Sequence, residues 1–181
     1  MTALKLRDLL AKAEPRLVCR HDYQKTGLTA SAVVDHSSVS VAARALYEAG
    51  YFLEDISGMQ VKEGLLVTYH YDSVSSPGRV AVRALADADG SVHSICSVFQ
   101  GAEWHERESS DFLGLKFIGN TNPVPLLLPD DFPDAPPLLK EAKALAAMAD
   151  LKLFGDEQEI LDPAWQNIVS PPAADTEGGA A

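Results

Sequence analysis

The sequence predicts an α+β fold, helices packed on a mostly antiparallel sheet, followed by a proline-rich extended C-terminal arm. Three observations carry this. Between residues 51 and 86, three apolar, β-branched runs are joined by connections too short for parallel crossovers. Two windows, 37–50 and 102–114, show apolar residues at helical spacing and end on a glycine. Nine of the eleven prolines fall after residue 120, and each fixes φ and removes a backbone donor.

Taken in order, Leu4, Leu6, Leu9 and Leu10 alternate with charged residues ahead of Pro15, the pattern of a short amphipathic helix. Residues 28–35 read as a strand. Ser37 or Ser38 then offers an N-cap for a helix through Val41, Ala45, Leu46 and Ala49, with Gly50 as its stop. Strands follow over 51–59, 65–72 and 79–86. Their turns are Lys62-Glu63-Gly64 and Ser75-Ser76-Pro77-Gly78, which predicts an antiparallel meander. Residues 92–99 are a fourth strand or an extended lead-in to the helix at Ala102–Leu113, where Gly114 is the stop. From 119 onward the prolines forbid regular helix until a second helical window at 138–151. The expected organisation is an α+β domain over 1–118, an extended partner-binding arm with a short helix over 119–170, and a disordered tail over 171–181.

Charge and cysteine content narrow the function. The net charge of −11 is the wrong sign for a broad phosphate-binding surface, which argues against nucleic acid. It is also uneven, since residues 130–181 hold eleven acidic and three basic side chains. Cys19 and Cys96 are too few for a disulfide framework and lack metal-ligand spacing, so a reducing compartment is expected. No apolar run approaches the roughly 18 residues that span a bilayer.

The densest chemistry is the run Glu103 to Asp111. On a helix, Glu103, Arg107 and Asp111 stand four apart, and Trp104 lies close to the same face. One reading is a solvated salt-bridge face with Trp104 tucked into the core. The other is catalytic, with His105 and Glu106 or Glu108 as base and acid. No nucleophile elbow, phosphate loop or paired histidine spacing accompanies it, so catalytic and metal signals are otherwise missing. The stretch 112–140 is too apolar for a free linker and too proline-rich to build its own core. It therefore lies against this chain's sheet or along a partner.

These residues resemble the 30 kDa subunit, also called the C subunit, of the proton-pumping NADH:quinone oxidoreductase, respiratory complex I. The family signature runs W-x-E-R-E-x-x-D-x-x-G-I-x-F-x-G-H-P. Trp104, Glu106, Arg107, Glu108, Asp111, Gly114, Leu115, Phe117 and Gly119 stand in register with it. Tyr51 to Ser57, Thr68-Tyr69-His70, Leu126-Leu127-Leu128-Pro129, Asp131-Phe132 and Pro137 to Lys140 are similar to further family segments, so the likeness covers about residues 28–140. The chain departs where the family has Gly-His-Pro followed shortly by a pair of arginines: it reads Gly119-Asn120-Thr121-Asn122, then Val124 and Pro125, and Leu139 stands where the family has Arg.

The resemblance implies a structural subunit of an enzyme complex that passes electrons from NADH through iron–sulfur centres to quinone, with no catalytic residue, cofactor or metal on this chain. Iron–sulfur clusters, flavin and quinone would belong to partner subunits. The implied partners are the large 49 kDa-type, hydrogenase-like subunit and other peripheral-arm subunits. The membrane arm would be contacted indirectly, and the complex would sit peripherally on the cytoplasmic side of the cell inner membrane. Trp104 would be a packing anchor, Glu106, Arg107, Glu108 and Asp111 a charge-paired junction network, and Gly114 and Gly119 turns that aim the arm. Alternatives are the equivalent subunit of a complex I-related membrane-bound hydrogenase or formate hydrogenlyase, a stand-alone acidic binding module, and a small hydrolase using His105.

Overall fold

Local chemistry sets the first elements of the chain, whose computed structural model describes residues 1–75 and 77–170. The expectation of a disordered 171–181 falls outside that range. Helix α1 (Ala3–Leu9) starts at Thr2, whose side chain accepts from the Lys5 N–H, and it buries Leu6. Strand β1 (Leu17–Arg20) and the one-turn helix α2 (Tyr23–Thr26) lead to β2 (Ala30–Val33), which is buried throughout. Helix α3 (Val39–Glu48) buries Val39, Ala42, Ala43 and Leu46, the stripe expected of a helix with one face on the core. Gly50, at φ 81°, then reverses the chain as its sequence position predicts.

The expected meander forms. Strand β3 (Phe52–Val61) turns through Lys62 and Glu63 into β4 (Gly64–Asp72), and β4 pairs antiparallel with β5 (Val80–Leu85). All three belong to a six-stranded sheet in which β5 lies next to β2, with β1 beyond it. One pairing is parallel, β2 with β5, because the α3 and hairpin connection is long enough to bring the chain back in the same direction. The 92–99 stretch is strand only at β6 (Ser91–His93). It pairs in parallel with β7 (Lys116–Ile118) beyond helix α4 (Ala102–Leu113).

The sheet carries apolar packing on both sides. Leu6, Leu10, Leu46, Val67, Tyr69, Val82, Val92 and Leu113 form the helix-side core. On the other side Leu17, Cys19, Val33 and Leu66 meet Met148, Phe154, Trp165 and Val169. Residues 148–169, which the sequence assigns to the partner-binding arm, thus return to the body. Glu157–Ile160 forms β8, the sixth strand, on the free edge of β1, and α5 (Gln166–Val169) follows. The helix expected over 138–151 is absent. Only two 3-10 turns form there, at Ala142–Ala144 and Met148–Leu151. Backbone groups that a helix would use are taken by the β3–β4 turn instead. The Lys62 N–H donates to Ala146 O at 3.0 Å, and the Met148 N–H donates to the Glu63 carboxylate at 3.1 Å. Tertiary hydrogen bonds here outweigh intrinsic helix preference.

Candidate functional site

Helix α4 buries Ala102, Glu106, Ser109 and Leu113 at the 3- and 4-residue spacing that defines one face. It can approach β3 closely because Gly58 lies beneath it, where a Cβ would stand 2.4 Å from the Leu113 side chain. Gly114, at φ 72°, ends the helix, with its N–H bonded to Ser110 O at 2.9 Å.

Each signature residue then takes a separate task. Glu106 is fully buried. Its carboxylate accepts from Ser94 Oγ, the Ile95 N–H and Asn120 Nδ2, each at 2.8 Å, and from Cys96 Sγ at 3.1 Å. Four donors satisfy this buried carboxyl group and tie the loop before α4 to the root of the segment after it. Burial first, with the Glu106 carboxylate adding, pushes the Cys96 thiol up to about 12, too high for a working nucleophile at neutral pH.

Arg107 donates from Nε to Val124 O at 2.8 Å and from Nη2 to Pro125 O at 2.9 Å, and it pairs with Glu103 at 3.2 Å. Glu103 also accepts from Asn122 Nδ2 at 2.6 Å. Asp111 Oδ2 receives the N–H groups of Leu126, Leu127 and Leu128 at 3.0, 2.7 and 3.0 Å. Partial burial works against its charge, but these three donors and the Arg107 guanidinium outweigh it and hold the carboxyl below its ordinary range.

The proline-rich segment is therefore laced along α4 from Glu103 to Phe112, where the Leu138 N–H meets Phe112 O at 3.0 Å. Phe117 is buried in the helix-side core, and Gly119 turns the chain at φ 95°.

Three sequence expectations are corrected. Trp104 is 64% exposed and does not pack in the core, because it lies on the helix face opposite Ala102, Ser109 and Leu113. Glu106, Arg107, Glu108 and Asp111 do not form one charge-paired network. Glu106 and Asp111 bind neutral donors, Arg107 pairs with Glu103, and Glu108 faces solvent. The His105 pairing with Glu106 or Glu108 is also not formed. His105 Nδ1 lies 3.3 Å from Asp55, which also has His70 Nδ1 at 3.9 Å. Among the described residues no group of three or more His, Cys, Asp or Glu side chains is arranged to hold a metal ion. Asn120 and Asn122 carry much of the site, and their only signal in the sequence is the departure from the family's Gly-His-Pro.

The groove between α4 and the segment holds only about 190 Å³, lined by Arg107, Asp111, Asn120 and Pro125 among others. That is below the range of ordinary ligand pockets, and its polar groups are already engaged. Outside the lacing, beside polar groups such as Glu108, stand several large apolar side chains: Trp104 on α4, Ile118 at 54% exposure, Val124 at 51% and Leu127 at 61%. Exposed apolar groups on one helix and on the strap laced to it suit a surface that another protein covers.

Fold and surface define an α+β domain with a strapped helix and an exposed apolar face. Residues 32–147 match the family described as respiratory-chain NADH dehydrogenase, 30 Kd subunit, and the chain belongs to that family. It is 32% identical over 113 residues to the J subunit of the NAD(P)H-quinone oxidoreductase of Prochlorococcus marinus (strain MIT 9215), covering 52% of this chain and 64% of that one. It is 41% identical over 75 residues to the C subunit of the NADH-quinone oxidoreductase of Xanthobacter autotrophicus, covering 41% and 35% respectively. The match thus spans less than two thirds of either relative. Among solved structures it is similar to a chain of the membrane-bound sulfane sulfur reductase, an archaeal respiratory membrane complex, with a TM-score of 0.53 and 20% identity over 65% of this chain and 70% of that one. A trypsin-resistant fragment of Nqo5 gives a TM-score of 0.52 at 20% identity, over 66% and 96%. Among the described residues no helix is long and apolar enough to cross a membrane.

Proposed function

We propose that this chain is a structural subunit of the peripheral arm of an NADH:quinone oxidoreductase. It holds neighbouring subunits in the geometry that electron transfer to quinone requires, and it performs no redox chemistry itself. Iron–sulfur clusters, flavin and quinone then reside in partner subunits. The partner on the α4 face is a large, hydrogenase-like 49 kDa-type subunit, and the assembly sits peripherally on the cytoplasmic side of the inner membrane.

The observation that carries this reading is the division of labour on α4. Arg107, Asp111 and Glu103 spend their hydrogen bonds inside the chain to fix residues 122–128, while Trp104, Val124 and Leu127 are left facing outward. A pre-ordered apolar face of this kind loses little conformational entropy on docking. Family membership supports the reading as well. A second reading, the equivalent subunit of a related membrane-bound complex with a different electron donor, is favoured by Asn120 and Leu139 at the positions where the family has His and Arg.

Trp104→Ala tests the docking face. As a surface truncation it should change the stability of the isolated chain by only about 0.5 kcal/mol. A buried tryptophan anchor is typically worth about 2 kcal/mol or more, roughly thirtyfold in affinity. Complexes purified through a tag on the Trp104→Ala chain should therefore lose partner subunits and quinone reductase activity together. Full stoichiometry with full activity would remove the α4 face from the interface.

A further inference from the structure

The sheet side opposite α1, α3 and α4 is covered only in part. Met148, Phe154, Trp165 and Val169 lie over Leu17, Cys19, Val33 and Leu66, but on edge strand β3 Ser57 and Met59 are exposed. Arg83 of β5 projects to this side, because Val82 and Ala84 on either side of it enter the helix-side core. Register aligns Arg83 with Thr68 and Thr68 with Ser57, so a polar row runs from β5 to the open edge.

Arg83 is 4% exposed, and its Nε and Nη1 are buried with no hydrogen-bond partner among the described residues. Other arginines are served differently: Arg7, Arg16, Arg20, Arg79 and Arg107 each hold a carboxylate. Burial lowers the Arg83 pKa to about 10, which still leaves it charged at neutral pH. A cation fixed in the interior without a counter-charge is costly to a fold. In a chain of net charge −11, a structural arginine would readily have found an acidic neighbour.

We propose that Arg83 is a docking point for a carboxylate, an aspartate or glutamate side chain that a partner subunit lays across the open β3–β4 part of this face. Charge complementarity selects an acidic occupant, and the register places Thr68 and Ser57 between Arg83 and the open edge. This surface is separate from Trp104 and Leu127, which belong to the helix side. The proposal rests on the chain being one subunit of an assembly.

Arg83→Met tests it in the full-length chain and in the complex. Exchange of an unpaired buried guanidinium for an apolar side chain of similar length should leave the melting temperature of the isolated chain unchanged or raise it. In complexes purified through a tag on this chain, the same variant should retain partner subunits at least tenfold less well. A structure of the assembly should show a partner carboxylate on the guanidinium.

Unchanged retention, or a loss of isolated-chain stability that accounts for the assembly defect, overturns the proposal. So does a chain ending at residue 170 that melts lower than the wild type in the Arg83 background but not in Arg83→Met, since the anion would then be this chain's own Asp175 or Glu177. Trp104→Ala in parallel separates the two ideas. If it alone disrupts assembly, the subunit reading stands and the Arg83 site fails; if neither variant disrupts assembly, the docking reading of both faces fails.

Discussion

Asp111 shows how one carboxylate orders a segment that has no secondary structure of its own. Its Oδ2 gathers three consecutive N–H groups, from Leu126 to Leu128, which would otherwise compete for water at a partly covered surface. In Asp111→Asn an amide of nearly the same shape replaces the charge, so the loss should be about 1–2 kcal/mol at pH 7, reduced from a fully buried case by partial exposure. The folded-state pKa lies below its ordinary 3.8. The stabilisation is thus fully present above that value and is lost as the pH falls through the lower folded value. Urea unfolding of both proteins should show the stability gap at pH 7 and its narrowing as the pH drops below 3.8. A gap that is constant with pH would mean that the charge is not the cause.

Glycine placement controls how the elements meet. A Cβ on Gly155 would lie 1.9 Å from Arg20 O, so the loop entering β8 can lie against the end of β1 only if residue 155 has no side chain. Gly155→Ala should cost about 1–3 kcal/mol as backbone shifts to relieve the clash. Gly101, ahead of α4, has ordinary αR geometry and open space around its Cβ position. Gly101→Ala should be neutral or slightly stabilising by comparison. Thermal melts of the two variants provide the contrast, and equal effects would show that crowding at β8 is not decisive. A glycine in the sequence does not by itself distinguish these cases. Both occur in irregular stretches, and only the approach of β1 separates them.

At the scale of the whole molecule, the second apolar layer makes the C-terminal third part of the body. Ending the chain at residue 140 would strip Met148, Phe154, Trp165 and Val169 from Leu17, Cys19, Val33 and Leu66, and would also unpair β1 from β8. Exposing that many apolar side chains forfeits about 1.5 kcal/mol or more for each one uncovered. The truncated chain should aggregate or melt far below the full one, as light scattering and calorimetry would record. A soluble, equally stable fragment would show that 1–140 is self-sufficient.

The sequence alone determined the α+β class, the β3–β5 meander, helices α1, α3 and α4, and a signature that placed the chain in its family. Each of these rests on interactions between residues close along the chain, namely periodicity, caps and tight turns. Only the tertiary structure decided that Trp104 faces outward, that Glu106 is held by Ser94, Ile95, Cys96 and Asn120, and that residues 148–169 close the second side of the sheet. Those outcomes depend on which distant segment wins a given donor or apolar face. Such competition is settled by three-dimensional packing and leaves no period in the sequence.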